Sequence, residues 1–531
     1  MPSETGMRRR SPLAPRQRIE VFSDARRGSG GVRMRDFRLT YRLGKSWMGT
    51  SKASPSLLLM GLLAGCAAGP NYQPPPAPKV SEFTAPALRE TGQAADPAGA
   101  AQTFDAGKTL PAEWWRLFAS PQIDALVKEA IANNPDLRAA QSALAQSREL
   151  LRVQRAAYLP TIGAGFDASR SKNSATIAPP LASNASIYSL YTAQVTISYA
   201  PDVFGGVRRQ VEAARARVQA ADAQADAAYL TLTSNVVQAA LQEASLRGQI
   251  AANQDIVGAE TKLLDILRLQ ERLGEVSAAE VAAQESALAQ AQQALPPLNR
   301  QLASERDLLA ILLGRYPSEG PATEIDISSL ELPRSLPVSI PAALVEHRPD
   351  VRAAEANLHA ANAQIGIAAA ARLPTFSLGA DGGSNAARIA ALTSAPNSFW
   401  SLTAGVAQPI FQGGALRHQQ RAAEAGYAQA LAQYRSAALS AYQGVADALQ
   451  ALQIDADALQ LAVTADRATT RTLQLTEARE HAGEISASAL YVAQQAAQQS
   501  RIALIQARTS RFTDTVALFQ ALGAGPWAVK S

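Results

Sequence analysis

The chain has 531 residues, enough for several domains, yet it holds one cysteine and only 5% aromatic residues, which excludes an internal disulfide framework. Its formal charge of +5 misleads: thirteen of the 50 Lys/Arg and four of the 45 Asp/Glu fall in the first 65 residues, leaving 37 basic against 41 acidic residues beyond. Nucleic-acid binding inferred from net charge is therefore excluded for the body of the protein.

Residues 1–65 read as a leader and lipoprotein signal peptide. Lys52 precedes a short apolar run (Leu57, Leu58, Leu59, Met60, Leu62) that ends in Leu63-Ala64-Gly65-Cys66. Basic, then apolar, then small residues is the order of a secretory signal. The run is far shorter than the roughly 20 apolar residues of a spanning helix. A thiol directly after Leu-Ala-Gly is what a lipoprotein signal peptidase leaves at the new amino terminus, so Cys66 is expected to carry lipid such as palmitate. The basic region ahead of the run is too long for such a signal, so translation is expected to start at Met34 or Met48. Residues 66–111, with Pro70, Pro74, Pro75, Pro76 and Pro78 followed by Ala, Gly and Thr, read as a lipidated extended tether.

The rest of the chain repeats itself. Asn134-Pro135-Asp136-Leu137-Arg138-Ala139-Ala140 recurs as Arg348-Pro349-Asp350-Val351-Arg352-Ala353-Ala354, at an offset of 214. Without a gap, 13 of the 33 pairs from Pro135 to Asp167 are identical, too many for shared alanine richness alone. Gly274-Glu275-Val276-Ser277 recurs as Gly483-Glu484-Ile485-Ser486, and Leu313-Gly314 as Leu522-Gly523, both at an offset of 209. One unit is used twice, over 112–314 and 342–523, with a Pro/Ser-rich linker over 315–341 and a tail over 524–531.

Each unit reads as helix, two strands, long helix, return helix. Asn134 is placed to cap a helix with Pro135 at its first position, and Leu159-Pro160 ends it. Asp136 and Asp350 are first-turn acids favoured by the helix dipole. Four segments then alternate at period two. Ile162, Ala164, Phe166 and Ala168 share one face, as do Val195 and Ile197, Phe376 and Leu378, and Trp400 and Leu402; the intervening residues are small or polar. Gly205-Gly206 and Gly413-Gly414 then open proline-free helical runs to Gly274 and Gly483, each about 100 Å long at 1.5 Å per residue. Return helices are expected from Ser277 to Leu313, interrupted by a kink or break at Pro296-Pro297, and from Ser486 to Leu522. Small residues such as Ala213, Ala216, Ala220 and Ala223 let neighbouring helices approach closely.

Strands of about ten residues suit a tilted crossing of an outer membrane. Four cannot close a spanning barrel, since the smallest use about eight, and an open sheet in lipid leaves backbone groups unpaired. Several copies must therefore share one barrel.

With these pieces in place, the chain resembles the outer-membrane efflux proteins of the TolC/OprM type, and within them the NodT-type lipoproteins. The resemblance runs from Cys66 to Gly523. It rests on Gly69-Pro70-Asn71-Tyr72, Trp114-Trp115-Arg116-Leu117-Phe118, Asn133-Asn134-Pro135-Asp136-Leu137, Arg348-Pro349-Asp350-Val351-Arg352 and Pro409-Ile410-Phe411-Gln412-Gly413-Gly414. It implies a homotrimer with a twelve-stranded outer-membrane β-barrel continued by a long periplasmic α-helical barrel. It also implies a periplasmic adaptor protein and an inner-membrane transporter, of RND type, as partners. The two hairpin turns become the periplasmic tip where the adaptor docks, nominating Gly274, Glu275, Ser277, Gly483, Glu484 and Ser486. One departure is visible: where relatives place an aspartate two or three residues after the second glycine, this chain has Ile485 and Ser486, and Glu484 is the nearest carboxylate.

No phosphate-binding loop, His-Glu-x-x-His helix, cysteine pair or Gly-x-Ser-x-Gly elbow occurs, and His347, His359, His418 and His481 lack metal-ligand spacing. The reading is of a passive duct for drugs or other small toxic compounds, neither an enzyme nor a cofactor protein. An exit duct for type I protein secretion and a non-conducting, lipid-anchored periplasmic coiled-coil scaffold stay open as alternatives.

Overall fold

A computed structural model describes residues 67–76, 80–108, 110–172, 174, 186–320, 325–339, 341–485 and 487–525; the leader, Cys66 and Ser486 lie outside the described residues. The element order repeats as the sequence does. In the first unit, α1 (Pro121–Asn133) and α2 (Pro135–Ala156) lead to strands β2 (Thr161–Lys172) and β3 (Ile187–Tyr199), then to α3 (Gly206–Leu273), α4 (Ala278–Gln293) and α5 (Leu295–Leu312). In the second, α6 (Pro341–His347) and α7 (Pro349–Ala370) lead to β5 (Thr375–Ala386) and β6 (Ser398–Ala407), then to α8 (Ala415–His481) and α9 (Ala487–Ala521). Two short strands, β1 (Thr103–Ala106) and β4 (Ser335–Val338), lie outside the repeat.

The equivalence reaches individual hydrogen bonds. Helices α2 and α7 are each 22 residues and β2 and β5 each 12. The Asn134 side chain caps α2 by accepting from the Leu137 amide at 3.0 Å, and its Nδ2 donates to the Leu312 carbonyl at the end of α5 at 3.1 Å. At the matching place Arg348 donates to the Ala521 carbonyl at the end of α9 at 2.6 Å, while also gripping Asp350. Both units thus fasten the start of their first long helix to the last turn of their return helix, with different chemistry.

The long runs form as read: α3 has 68 residues and α8 has 67. Buried Ala213, Ala216, Ala220 and Ala223 lie on α3, which packs along α2, α7 and α9. The first return helix is interrupted beside Pro296-Pro297, as the prolines lead one to expect. It is broken at Ala294, giving α4 and α5, because Pro296 and Pro297 supply no amide for the turn before them. Its counterpart α9 is continuous over 35 residues.

The core sits around the middle of α3 and α8. There the turn Trp114–Phe118 buries Trp114, Trp115 and Phe118 against Phe512 and Phe519 of α9, with ring centroids 5.5 to 6.4 Å apart. Each such ring contributes about 1.5–3 kcal/mol by burial. The segment read as a tether is seated on this core. Its β1 pairs in parallel with β4 of the linker, and Gln102 Nε2 donates to the Pro333 carbonyl at 3.1 Å and Thr515 Oγ1 at 3.2 Å.

The remaining strands form one antiparallel sheet in the order β2-β3-β5-β6. Each extends further toward the distal loops than the alternating pattern foretold, to Lys172, from Ile187, to Ala386 and from Ser398. Among the described residues, both outer strands present open edges. Among the described residues, no helix is long and apolar enough to cross a membrane.

Candidate functional site

Three features carry the functional argument: the two faces of the sheet, the chain just after Cys66, and the two hairpin tips. In the sheet, the pairing register sorts side chains into two sets. Ile162, Ile197, Ala380 and Leu402 lie opposite one another across all four strands, as do Ala164, Val195, Gly382 and Trp400. Between these rows run Gly163, Thr196, Asp381 and Ser401, then Thr161, Ser198, Gly379 and Thr403. Residues directly opposite share a face and neighbours along a strand do not, so one face is apolar and the other hydroxylic. The apolar face is bare: Ile162 is 71%, Leu402 74% and Trp400 77% exposed. On the polar face, Ser401 Oγ donates to Asp381 Oδ2 at 3.2 Å, and Gly379 leaves room for the Thr403 hydroxyl, which a Cβ would meet at 2.5 Å.

The chain after Cys66 is clamped where strands turn into helices. The Ala68 amide donates to the Phe204 carbonyl at 2.9 Å, and Ala67 lies against Gly205. Arg209, buried at the start of α3, donates to the carbonyls of Ala68 (3.1 Å) and Gly69 (3.2 Å) and to Asn71 Oδ1 (2.8 Å). From α7, Asn362 Nδ2 donates to the Pro70 carbonyl at 3.1 Å, and the His359 ring stacks on Tyr72 with centroids 4.2 Å apart. Glu212 ties the clamp together, 2.7 Å from Arg209 Nη1 and 2.9 Å from His359 Nε2. Burial alone would raise its pKa, but the hydrogen bonds from Arg209 and His359 hold the carboxyl below the usual glutamate range. Gly69 and Gly366 meet backbone to backbone, the ideal Cβ of Gly69 falling 2.5 Å from Gly366 Cα. The motif Gly69-Pro70-Asn71-Tyr72 is thus a docked strap.

At the tips, α3 and α8 end in the same hydrogen-bonded turn. The Gly274 amide donates to the Glu271 carbonyl and the Glu275 amide to the Gln270 carbonyl, both at 2.9 Å; Gly483 and Glu484 do the same to Glu480 (2.8 Å) and Arg479 (2.9 Å). Both glycines are left-handed, at φ +80° and +75°, with open space where a Cβ would be. Backbone torsion, not crowding, demands glycine there. Ser277 opens α4 as a capping box: its backbone amide donates to Glu280 Oε2 at 2.8 Å and its hydroxyl accepts from the Glu280 amide at 3.4 Å. Glu484 turns back to Arg479, Nε to Oε2 3.2 Å, in an exposed pair. Gly274, Glu275, Ser277, Gly483 and Glu484 are all exposed, at the ends of two hairpins joined behind them by Leu263, Leu264, Leu267, Val281 and Leu490.

Glu280 lies outside the repeated hairpin motif, although Ser277-x-x-Glu280 is itself a capping-box signature. The Arg209–Glu212–His359 clamp joins residues about 150 positions apart, and no local pattern announces it.

Comparison with known proteins agrees with this geometry. A family model described as outer membrane efflux protein matches residues 126–315 and 340–524. The chain is 31% identical over 442 residues to the pyoverdine export outer membrane protein OpmQ of Pseudomonas putida, covering 82% of this chain and 93% of that relative. It is 31% identical over 487 residues to the outer membrane protein OprJ of Pseudomonas aeruginosa, covering 88% and 95%. Its fold matches the open state of the MtrE outer membrane channel of Neisseria gonorrhoeae with a TM-score of 0.73, at 26% identity, over 87% of this chain and 98% of that one.

Proposed function

The chain belongs to the outer membrane efflux protein family, and from that premise we propose that three copies join their sheets into one twelve-stranded barrel leading into a common helical tube. Its function is that of the outer-membrane channel component of a tripartite efflux system. The observation that supports a barrel shared between copies is the sheet itself; the number three follows from the family. A four-stranded sheet with two open edges and one bare apolar face has unpaired backbone groups that lipid cannot satisfy, and edge-to-edge joining of copies removes them. The apolar face then meets lipid and the hydroxylic face lines a wet passage for drugs or other small toxic compounds.

In this reading Cys66 carries the lipid anchor. The strap supports it, because Ala67 is held against Gly205 at the strand–helix junction, the level at which an acyl chain enters the inner leaflet. The exposed turns at Gly274, Glu275 and Ser277, and at Gly483 and Glu484, with Ser486 next to them in sequence, form the periplasmic tip that meets an adaptor protein, itself coupled to an inner-membrane transporter of RND type. The tip and the domain limits 112–314 and 342–523 are supported by the matched hairpin geometry of the two units. The protein moves no electrons and cleaves no bonds in this role; energy comes from the partner pump.

Planar-bilayer recording on purified, detergent-solubilised protein tests the reading. A duct conducts, at least once its tip is loosened, and runs as a trimer by mass. A preparation that is monomeric and soluble without detergent, or a trimer that never conducts, would favour the scaffold instead.

A further inference from the structure

The apolar face of the sheet does not stay apolar to its far end. Beyond Phe166 and Ala168, the next two residues of β2 on the same face are Arg170 and Lys172, opposite Ser189 and Ile187 of β3. Both are exposed. Arg388 is exposed as well, in extended backbone two residues past Ala386, the last residue of β5, which lies opposite Tyr191. The carboxylates of the sheet lie elsewhere: Asp167 and Asp381 occupy the hydroxylic face, and no Asp or Glu falls at an apolar-face position of the four strands. Charge is therefore segregated by face and by height.

The height is informative. From Ile162 to Arg170 is eight residues and to Lys172 ten, about 26 and 33 Å along the strand at 3.3 Å each, or about 20 and 25 Å along the barrel axis at a tilt near 40°. The apolar band of an outer-membrane barrel is about 25 Å tall. The two cations thus stand where hydrocarbon gives way to headgroups, just past Tyr191, which lies opposite Ala168 on the same face, the place of an interfacial aromatic belt. The strap and the helices adjoin the opposite end of the strands, so this end faces the outer leaflet.

We propose that Arg170, Lys172 and Arg388 form a phosphate-binding site on the lipid-facing surface, taking the phosphorylated glycolipid headgroups of the outer leaflet. This rests on the barrel reading above. Guanidinium groups bind phosphate oxygens in bidentate fashion and the ammonium adds a point charge, while neighbouring Ser189 is a further hydroxyl donor. Side chains on the outside of the barrel cannot touch a solute inside it, so exiting cargo is not the ligand. In a trimer the site recurs three times around the rim.

The test uses purified full-length trimer and three probes: bisphosphorylated lipid A, the same lipid A stripped of phosphate, and phosphatidylglycerol, each titrated by native mass spectrometry. Wild-type protein is expected to bind bisphosphorylated lipid A most tightly. The R170Q/K172Q/R388Q variant should lose on the order of 100-fold for that probe alone, from three cations at a phosphate surface. Single-channel conductance of the variant should match wild type, which keeps failure of the site distinct from failure of the duct. Equal binding of dephosphorylated lipid A, or an unchanged affinity in the variant, overturns the proposal. A loss as large for phosphatidylglycerol overturns the outer-leaflet assignment, since any anionic lipid would then serve.

Discussion

Replacing Gly366 with alanine isolates the strap from every other feature of the fold. Gly366 lies inside α7, where alanine alone should stabilise the helix by up to about 1 kcal/mol. The new Cβ would stand 2.7 Å from Arg209 Cγ and 2.8 Å from the Ala68 carbonyl oxygen, both closer than carbon atoms tolerate. One neighbour is buried and hydrogen-bonded to four other groups and the other is backbone, so neither moves freely. Overpacking of this kind costs about 1–3 kcal/mol. The strap's residues 68–71 are held largely by Arg209 and Asn362 hydrogen bonds, so the cost falls on their docking. G366A should therefore speed exchange of the Ala68 amide, now bonded to Phe204, by roughly 5- to 100-fold. Hydrogen-exchange mass spectrometry over 67–72 measures this directly. Gly258→Ala on α3, where no atom lies within 4 Å, is the control and should leave the strap unchanged. If G366A leaves exchange at Ala68 untouched and merely raises the melting temperature, the strap is not docked as described.

Four further outcomes are expected. At the tips, Gly274→Ala and Gly483→Ala should each cost about 1–2 kcal/mol from the left-handed torsion alone, so asparagine should be better tolerated; faster local exchange confined to the turns is the readout. Ser277→Ala should weaken the start of α4 by about 1 kcal/mol, measured as exchange at Glu280, whereas no matching acid exists at Ala489 to make the second tip respond alike. Cysteines placed singly at Ile197 and Thr196 should label differently, the first from lipid and the second only with a water-soluble maleimide; identical labelling from lipid would dismiss the barrel faces. Asp455 is pushed up from 3.8 to about 7, first by burial and then by the Asp514 carboxyl beside it. An acid with a raised folded pKa binds more protons folded than unfolded, so wild-type stability should fall as pH rises from about 4 to about 7; Asp455→Asn should flatten that part of the thermal-melt profile.

Much of this architecture was legible because it obeys short-range rules. Period-two alternation found the four strands, and paired glycines found the ends of the long helices. Strand ends were underestimated, since Arg170 and Lys172 on β2, and Gly382 and Gly383 on β5, break the apolar pattern that marks a strand. The parallel pairing of β1 with β4 joins segments more than 230 residues apart, each only four residues long, and β4 holds Pro337, so neither reads as strand. The strap shows the same limit. Gly69-Pro70-Asn71-Tyr72 could be recognised as a motif, but its purpose lay in Arg209 and Asn362, and only the fold brings those three stretches together.

The break at Ala294 gives the duplicated protein a mechanical asymmetry that its sequence symmetry conceals. One return arm lacks the main-chain hydrogen bonds that Pro296 and Pro297 cannot donate, although Ala294 keeps helical torsions, and its twin is continuous. Staves of a cask cut this way would alternate between pliant and stiff around the circumference. Bending would then concentrate in every second stave, letting the mouth widen while the others keep the tube's length and the seating of whatever rests on its rim.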